Sequence, residues 1–197
     1  MLSNETKPQP LTQTYTPIAK SPIWNIKSHF ATSGVEMFNK NIPFWVTANP
    51  RFANHIAELL IHTIKDIIEQ TPSLKTKPIT ILEFGSGLGK FGFYCIKRCL
   101  ELLKLEDLSD LNITFIISEL SMPLINYWKD HESLNELFKL GVLDYAKIDV
   151  SKPLKSIKCR YSKQTIHLNQ QEWPLLCVGN YIWDSIPFDA FKIKSNK

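Results

Sequence analysis

Apolar residues recur every three or four positions between about residues 50 and 70, which predicts an amphipathic helix. Asn49 is a suitable N-cap for this helix and Pro50 suits its first turn. The Thr-Pro-Ser sequence at 71–73 ends it. The apolar positions that carry the pattern are Ile56, Leu59, Leu60, Ile64, Ile67 and Ile68, with Thr63.

Short apolar runs beyond residue 75 predict β-strands. They are ITILEF (79–84), NITFIIS (112–118), VLDYAKIDV (142–150) and PLLCVGN (174–180), the last expected to be a buried strand. A helix is predicted over about 88–104, and the segment 123–141 predicts one or two helices closed by Gly141. Alternation over 156–168 favours a hairpin, and FDAFKIK (188–194) is a further strand-like stretch.

This alternation of strands and helices predicts an α/β fold with a mostly parallel sheet. We expect a flexible polar tail over 1–20, an aromatic N-terminal cap and helix over 21–75, and a ligand-binding α/β domain over 76–197. With only these elements, a sheet covered by helices on both faces would have too few strands on one side. The fold is therefore expected to be abbreviated, or the chain to be part of a longer protein.

The composition narrows the class of protein. Apolar residues make up 44% of the 197, enough for a core, and the net charge of +4 comes from scattered lysines. Neither nucleic-acid binding nor membrane binding is expected from this pattern. The chain has no secretory apolar segment, and its four cysteines form no C-x-x-C pair, so a cytoplasmic location and no metal site are expected.

Three glycines within five residues, in EFGSGLGK (83–90), lie between the first strand and the next helix. Such a turn could bind a triphosphate, a dinucleotide or S-adenosylmethionine (SAM). A P-loop would need a glycine at Phe84 and a hydroxyl at Phe91, which argues against a triphosphate. The third glycine of a dinucleotide fingerprint is displaced, so NAD is a weaker alternative.

SAM accounts for more of the residues around this turn. Gly85 and Gly87 lack side chains, so the backbone can approach a ligand closely. Glu119 follows the second strand, where a carboxylate can accept from ribose hydroxyls, and Asp149 follows the third, where an acceptor can meet the adenine amino group.

The segment ILEFGSGLG (81–89) resembles motif I of class I SAM-dependent methyltransferases. Three further segments resemble the MidA-like family of that superfamily, which contains a mitochondrial complex I assembly-factor arginine methyltransferase. They are PFWVTANPRFANHIAELL (43–60), SELSMPL (118–124) and GNYIWDSIPFDAF (179–191). Their order and rough spacing agree with the family, so the similarity covers about 43–191.

The resemblance implies a Rossmann-like methyltransferase sheet with SAM as cofactor. It also implies that the segment 44–47 closes over the donor and that Asp184 or Tyr181 orients the nucleophile or takes its proton. The family has Asn-Glu where this chain has Asn180-Tyr181, so the resemblance does not imply that arginine is the methyl acceptor. The family's C-terminal half also has no counterpart in this sequence. The expected donor contacts are Glu83, Gly85, Ser86, Gly87, Gly89, Glu119, Leu120, Asp149 and Asn180.

The expected activity is methyl transfer to a nitrogen or oxygen nucleophile, with protein side chains among the acceptors considered. Two other functions stay open at the level of sequence. One is a non-catalytic protein that keeps the fold for binding or assembly, and the other is an NAD-dependent oxidoreductase.

Overall fold

The computed structural model describes residues 16–32, 34–41 and 44–191. Within these residues the main sheet has four strands in the order β3-β2-β1-β6, and every neighbouring pair is parallel. The fold is therefore mixed α/β and Rossmann-like, as predicted. The strands of this sheet are β1 (Ile79–Phe84), β2 (Ile113–Glu119), β3 (Leu143–Lys147) and β6 (Leu176–Gly179).

The helices lie before and between these strands. A 3₁₀ helix spans Ile18–Lys20, and further 3₁₀ turns span Phe44–Val46, Pro72–Thr76 and Leu168–Gln170. The α-helices are α1 (Ile23–Thr32), α2 (Val35–Asn41), α3 (Pro50–Gln70), α4 (Lys90–Leu105), α5 (Met122–Asp130) and α6 (Glu132–Lys139).

Helix α3 begins as the sequence predicts. The Asn49 side chain accepts a hydrogen bond from the Phe52 N–H at 3.0 Å, and Pro50 occupies the first turn. Its buried positions include Leu60 and Ile64, whereas Leu59 is 62% exposed although it fits the apolar spacing. The predicted helical segment after β2 is two helices, and Gly141 follows α6 with a φ of 73°, as expected of a closing glycine.

The two faces of the sheet are covered differently. Helices α3 to α6 pack on one face, where alternate strand residues such as Ile81 and Phe115 join the larger core. The other face carries Leu82 and Ile116 and is covered by the segment that follows β3. That segment contains the predicted hairpin, formed by antiparallel strands β4 (Ser156–Lys158) and β5 (Thr165–His167).

The fourth strand of the sheet is not the buried strand that the sequence predicts. Strand β6 pairs with β1 on one side and is the last strand of the sheet. Its residues are half-buried, and Cys177 is exposed. An apolar run cannot by itself distinguish an edge strand from a central one, since both pack at least one face. Cys95 and Cys99, by contrast, are fully buried in α4.

The chain after β6 also differs from expectation. Residues 188–191 have no regular secondary structure, and 192–194 of the predicted strand-like stretch lie outside the described residues. Most of the predicted tail, residues 1–15, lies outside them as well. Among the helices of the described ranges, none is both long and apolar enough to cross a bilayer.

Candidate functional site

A cleft of about 700 Å³ lies where the parallel strands end. The chain runs outward from β1 through β2 to β3 and then returns to the other side of β1 with β6, so the strand order reverses at this point. Open α/β sheets bind ligands in the crevice that such a reversal creates. The cleft is lined by residues 24–28, 85–88, 119–120, 148–151, 180–182 and 184–187, with Ala48, Glu83, Lys90 and Phe91.

The glycine turn forms the floor of the cleft. Gly85, Gly87 and Gly89 have φ values of 66°, 53° and 75°, a conformation that side chains disfavour. Ser86 fastens the turn to β2, because its N–H donates to the Ser118 carbonyl at 2.9 Å and its hydroxyl accepts from the Ser118 N–H at 3.0 Å. The turn is thus held in one shape by the neighbouring strand.

The Glu119 carboxylate lies directly against this turn. Its Oε2 accepts from the Gly87 N–H at 3.2 Å, and its Oε1 accepts from the Leu120 N–H at 2.8 Å. Burial raises the pKa of Glu119, and these backbone N–H groups counteract part of that rise. The structure therefore brings the carboxylate predicted for ribose together with the glycine turn.

Glu83 is a buried acid beneath the turn, with 2% of its surface exposed. Burial raises its pKa to about 8, and the nearby Glu119 charge adds to the rise, while hydrogen bonding from Ser86 and Gly92 lowers it. Within the described residues its Oε2 atom has no hydrogen-bond partner. An oxygen buried without a hydrogen-bond partner is costly, and a donor group placed in the cleft would relieve that cost.

Asp149 lies at the far end of the cleft, after β3. Its carboxylate accepts from the Ser151 hydroxyl at 2.6 Å and N–H at 3.1 Å, and it pairs with Lys152 at 2.8 Å. These contacts, Lys152 first, lower the pKa of Asp149, so it stays ionised at neutral pH. The residue both shapes its own turn and lines the cleft.

The end of β6 supplies the opposite wall. Asn180 donates from Nδ2 to the Thr47 hydroxyl at 2.6 Å, which ties this wall to the segment before α3. Tyr181 has a φ of 56°, rare for a residue with a side chain, and is 55% exposed. Asp184 is exposed and lines the cleft three positions further on.

Helix α1 closes the cleft from the N-terminal side. Lys27 Nζ donates to the Asp184 carbonyl at 2.5 Å, and the Trp24 ring meets the Phe188 ring edge-on at 5.1 Å. Of the lid expected at 44–47, residues 45–47 are not among the lining residues, and Trp45 and Val46 are each 57% exposed. Helix α1 lies within the predicted N-terminal cap over 21–75, although none of its residues was predicted for the site; Trp24 was the available signal.

All but one of the residues predicted for the site line this cleft. The exception is Gly89, the N-cap of α4, where an added Cβ would lie 3.2 Å from Trp128 Nε1. Gly85 lines the cleft, but a Cβ there would lie 2.8 Å from Ile182 Cδ1, so a protein side chain already covers its open face. Lining residues that the sequence analysis missed include Lys90, Ile148, Val150, Ser151 and Ile182.

Charges in the cleft are mixed, with acids in excess. Glu119, Asp149 and Asp184 stand against Lys27 and Lys90, while the Glu83 carboxyl, with a pKa of about 8, is protonated at neutral pH. In the described part of the chain, no group of three or more His, Cys, Asp or Glu residues is placed to hold a metal ion. The slight excess of carboxylates favours a ligand that carries positive charge.

Comparison of the chain with models of protein families and with curated proteins finds no match. What the cleft binds is therefore inferred from its shape, its charges and its hydrogen-bonding groups.

Proposed function

We propose that this protein is a SAM-dependent methyltransferase of the class I fold. The observation that carries the proposal is the Glu119 carboxylate, held 3.2 Å from the Gly87 N–H at the carboxyl ends of two adjacent parallel strands. A carboxylate in that place accepts hydrogen bonds from a ribose. The glycine turn beside it leaves room for the amino-acid end of the donor.

The residues present fit such a donor. Glu119 would accept from the ribose hydroxyls, and Asp149 and Leu120 lie further along the cleft, where the adenine would be held. The unpartnered Glu83 Oε2 can accept a hydrogen bond from the ammonium group of such a ligand. The cleft volume of about 700 Å³ exceeds what one such molecule fills, so it leaves space for an acceptor.

When bound, SAM supplies an activated methyl group, so the protein's task is alignment and exclusion of water. Asp184 would take the proton of the nucleophile or orient it, and Tyr181 would contribute its hydroxyl to the same region. The hydroxyl of Ser185 donates to the Tyr181 carbonyl at 3.1 Å and lies 3.3 Å from Asp184 Oδ1, which holds these residues together.

One contact favours a second candidate function, a non-catalytic binding protein built on the same fold. Ile182 packs against the open faces of both Gly85 and Gly179, where an added Cβ would lie 2.8 and 2.9 Å from its side chain. A side chain that covers the first glycine of the turn leaves less room for a donor. Donor binding without methyl transfer would favour this alternative.

Isothermal titration calorimetry on the whole chain tests the proposal. We expect SAM and S-adenosylhomocysteine to bind in the micromolar range and NAD not to bind. If neither SAM nor S-adenosylhomocysteine binds, the proposed methyltransferase function is refuted. Binding of NAD instead would favour an oxidoreductase. A tritiated methyl group on SAM then distinguishes transfer to an added acceptor from binding alone.

A further inference from the structure

The first helix and the chain after β6 form a compartment at one end of the cleft, which we call the acceptor compartment. It lies beside the glycine turn and away from the residues expected to hold the adenosine. Its lining residues include Trp24, Ile26, Lys27, Tyr181, Asp184 and Ile186.

The sheet order fixes where this compartment lies relative to the donor. Strand β6 is adjacent to β1, while β2 and β3 follow on the other side of β1. Neighbouring strands are about 4.8 Å apart, so the end of β6 is one strand from the glycine turn and about three strands from Asp149. A donor that extends from β3 to β1 therefore presents its amino-acid end, and the methyl group beside it, to the acceptor compartment.

Contacts within the compartment hold a cation between an aromatic ring and a backbone carbonyl. Lys27 Nζ lies 5.4 Å from the centre of the Trp24 ring and 2.5 Å from the Asp184 carbonyl oxygen. The ammonium group has three N–H donors, and this carbonyl takes one of them. The remaining donors can meet an oxygen of a ligand that enters from the open side of the cleft.

The charge in this compartment disfavours a cationic acceptor. A guanidinium or ammonium group beside Lys27 would be repelled, and Asp184 is the one carboxylate among the compartment's lining residues. The aromatic and aliphatic residues of the lining favour a flat apolar body, and the polar side chains of Asn25, Ser28 and Ser185 lie among them. A hydroxyl that becomes negative during the reaction is matched by Lys27, because a nearby positive charge favours the ionised form.

We infer that the acceptor compartment binds a small aromatic compound carrying a weakly acidic hydroxyl, and that this hydroxyl oxygen receives the methyl group. The inference rests on the proposed methyltransferase function and adds the acceptor class. Trp24 provides the apolar surface for the ring, and Lys27 stabilises the oxygen as it loses its proton.

The reaction balances without a further reactant. The hydroxyl proton passes to the Asp184 carboxylate and from there to water. The oxygen lone pair forms the new C–O bond to the methyl carbon. The C–S bond breaks, and its electron pair stays on the sulfur, which becomes a neutral thioether.

The test supplies the whole protein with SAM carrying a tritiated methyl group and one of three aromatic hydroxy compounds, 2-naphthol, catechol or 4-hydroxybenzoate. A glycine-arginine-glycine peptide is run in parallel. We expect label in an O-methyl product of at least one aromatic compound and none in the peptide. The inference is overturned if only the peptide is labelled, or if no aromatic product is labelled although calorimetry shows that SAM binds. Neither result would contradict the proposed SAM site. If SAM does not bind, the proposed function fails first.

Variants of Lys27 separate a chemical role from a structural one. Lys27→Met should lower kcat/KM for the aromatic acceptor by at least 10-fold and move the rise of its pH profile to higher pH, because the ionised oxygen loses its cation. Lys27→Arg should restore most of the rate, and Lys139→Met, on the exposed end of α6, should change neither quantity. An unchanged pH profile in Lys27→Met, with SAM affinity preserved, would contradict the assigned role.

Discussion

The Gly87 N–H donates to Glu119 Oε2 at 3.2 Å, although 32 positions separate the two residues in the chain. This hydrogen bond couples the turn after β1 to the end of β2. The carboxylate therefore has two functions in the proposed site: it holds the turn in shape and it faces the ribose. A substitution at Glu119 can separate the two.

Glu119→Gln should weaken SAM binding by about 10- to 100-fold, because the amide offers one acceptor oxygen where the carboxylate offers two. The free energy of unfolding should fall by about 1–2 kcal/mol, since the single amide oxygen can accept from Gly87 or from Leu120 but not from both. Calorimetry and urea denaturation measure the two effects. Glu136→Gln, at an exposed position of α6, is the matched control and should alter neither. Full SAM affinity in Glu119→Gln would remove the central support for the proposed function.

Gly85→Ala should destabilise the fold through backbone strain and a steric clash. Gly85 has a φ of 66°, and its added Cβ would lie 2.8 Å from Ile182 Cδ1. Gly141 has a similar φ of 73° with nothing within 4 Å, so Gly141→Ala isolates the strain. We expect about 1 kcal/mol for Gly141→Ala and about 1–3 kcal/mol more for Gly85→Ala, from urea denaturation.

A double variant checks the origin of the larger effect. Adding Ile182→Ala to Gly85→Ala should recover most of the steric part, because the clash is with that side chain. Equal costs at Gly85 and Gly141 would mean that Ile182 moves aside freely. A donor could then displace it easily.

The stability of the protein should fall as the pH rises from about 4.5 to about 8, through the burial of Glu83. Its pKa is about 8 in the fold against an ordinary value of 4.5, so between these values the native carboxyl holds a proton that the unfolded chain has lost. Rising pH therefore favours the unfolded state over this range. Glu83→Gln should remove this dependence. Between pH 4.5 and pH 8.5 the wild type should lose about 3–5 kcal/mol of unfolding free energy that the variant keeps.

Urea denaturation of both proteins at pH 5.5 and pH 8.5 measures that difference. Parallel pH dependence in the wild type and in Glu83→Gln would mean that the carboxyl is better solvated, or better paired, than its burial indicates.

Asn49→Ala should cost about 1 kcal/mol of stability, because α3 loses the side chain that caps its N-terminus. The same side chain donates from Nδ2 to the Val46 carbonyl at 2.8 Å, so the segment before the helix is also released. Asn126→Ala, at an exposed position within α5, lacks a capping role and should be neutral or slightly stabilising. Equal stabilities of the two variants in urea would contradict the assigned cap.

The residues that end predictable strands could be placed from the sequence. Glu119 and Asp149 follow apolar runs, and parallel strands bring their carboxyl ends to one edge, so their presence in one cleft follows from local patterns. The position of α1 could not be predicted in this way. Its contact between Lys27 and Asp184 joins positions 157 apart, and no local periodicity reports on that pairing.

The packing of individual side chains could not be predicted from the sequence either. Three glycines in the turn predicted bare backbone for a ligand, yet Gly85 is covered by Ile182, and Gly89 faces Trp128 and Leu134. Glycine is required in both places by a positive φ. The pattern thus predicted the turn correctly and left open which molecule, ligand or protein, would lie on each glycine.

The wall shared by α1 and the chain after β6 has a consequence for how the protein is made. The β1–β2–β3 portion can form once residue 150 has left the ribosome, whereas the Lys27–Asp184 contact must wait for residue 184. A nascent chain would thus pass through a stage with the β1–β3 half of its cleft built and the opposite half still open. The cleft would gain its second wall only after Asp184 has emerged and met Lys27.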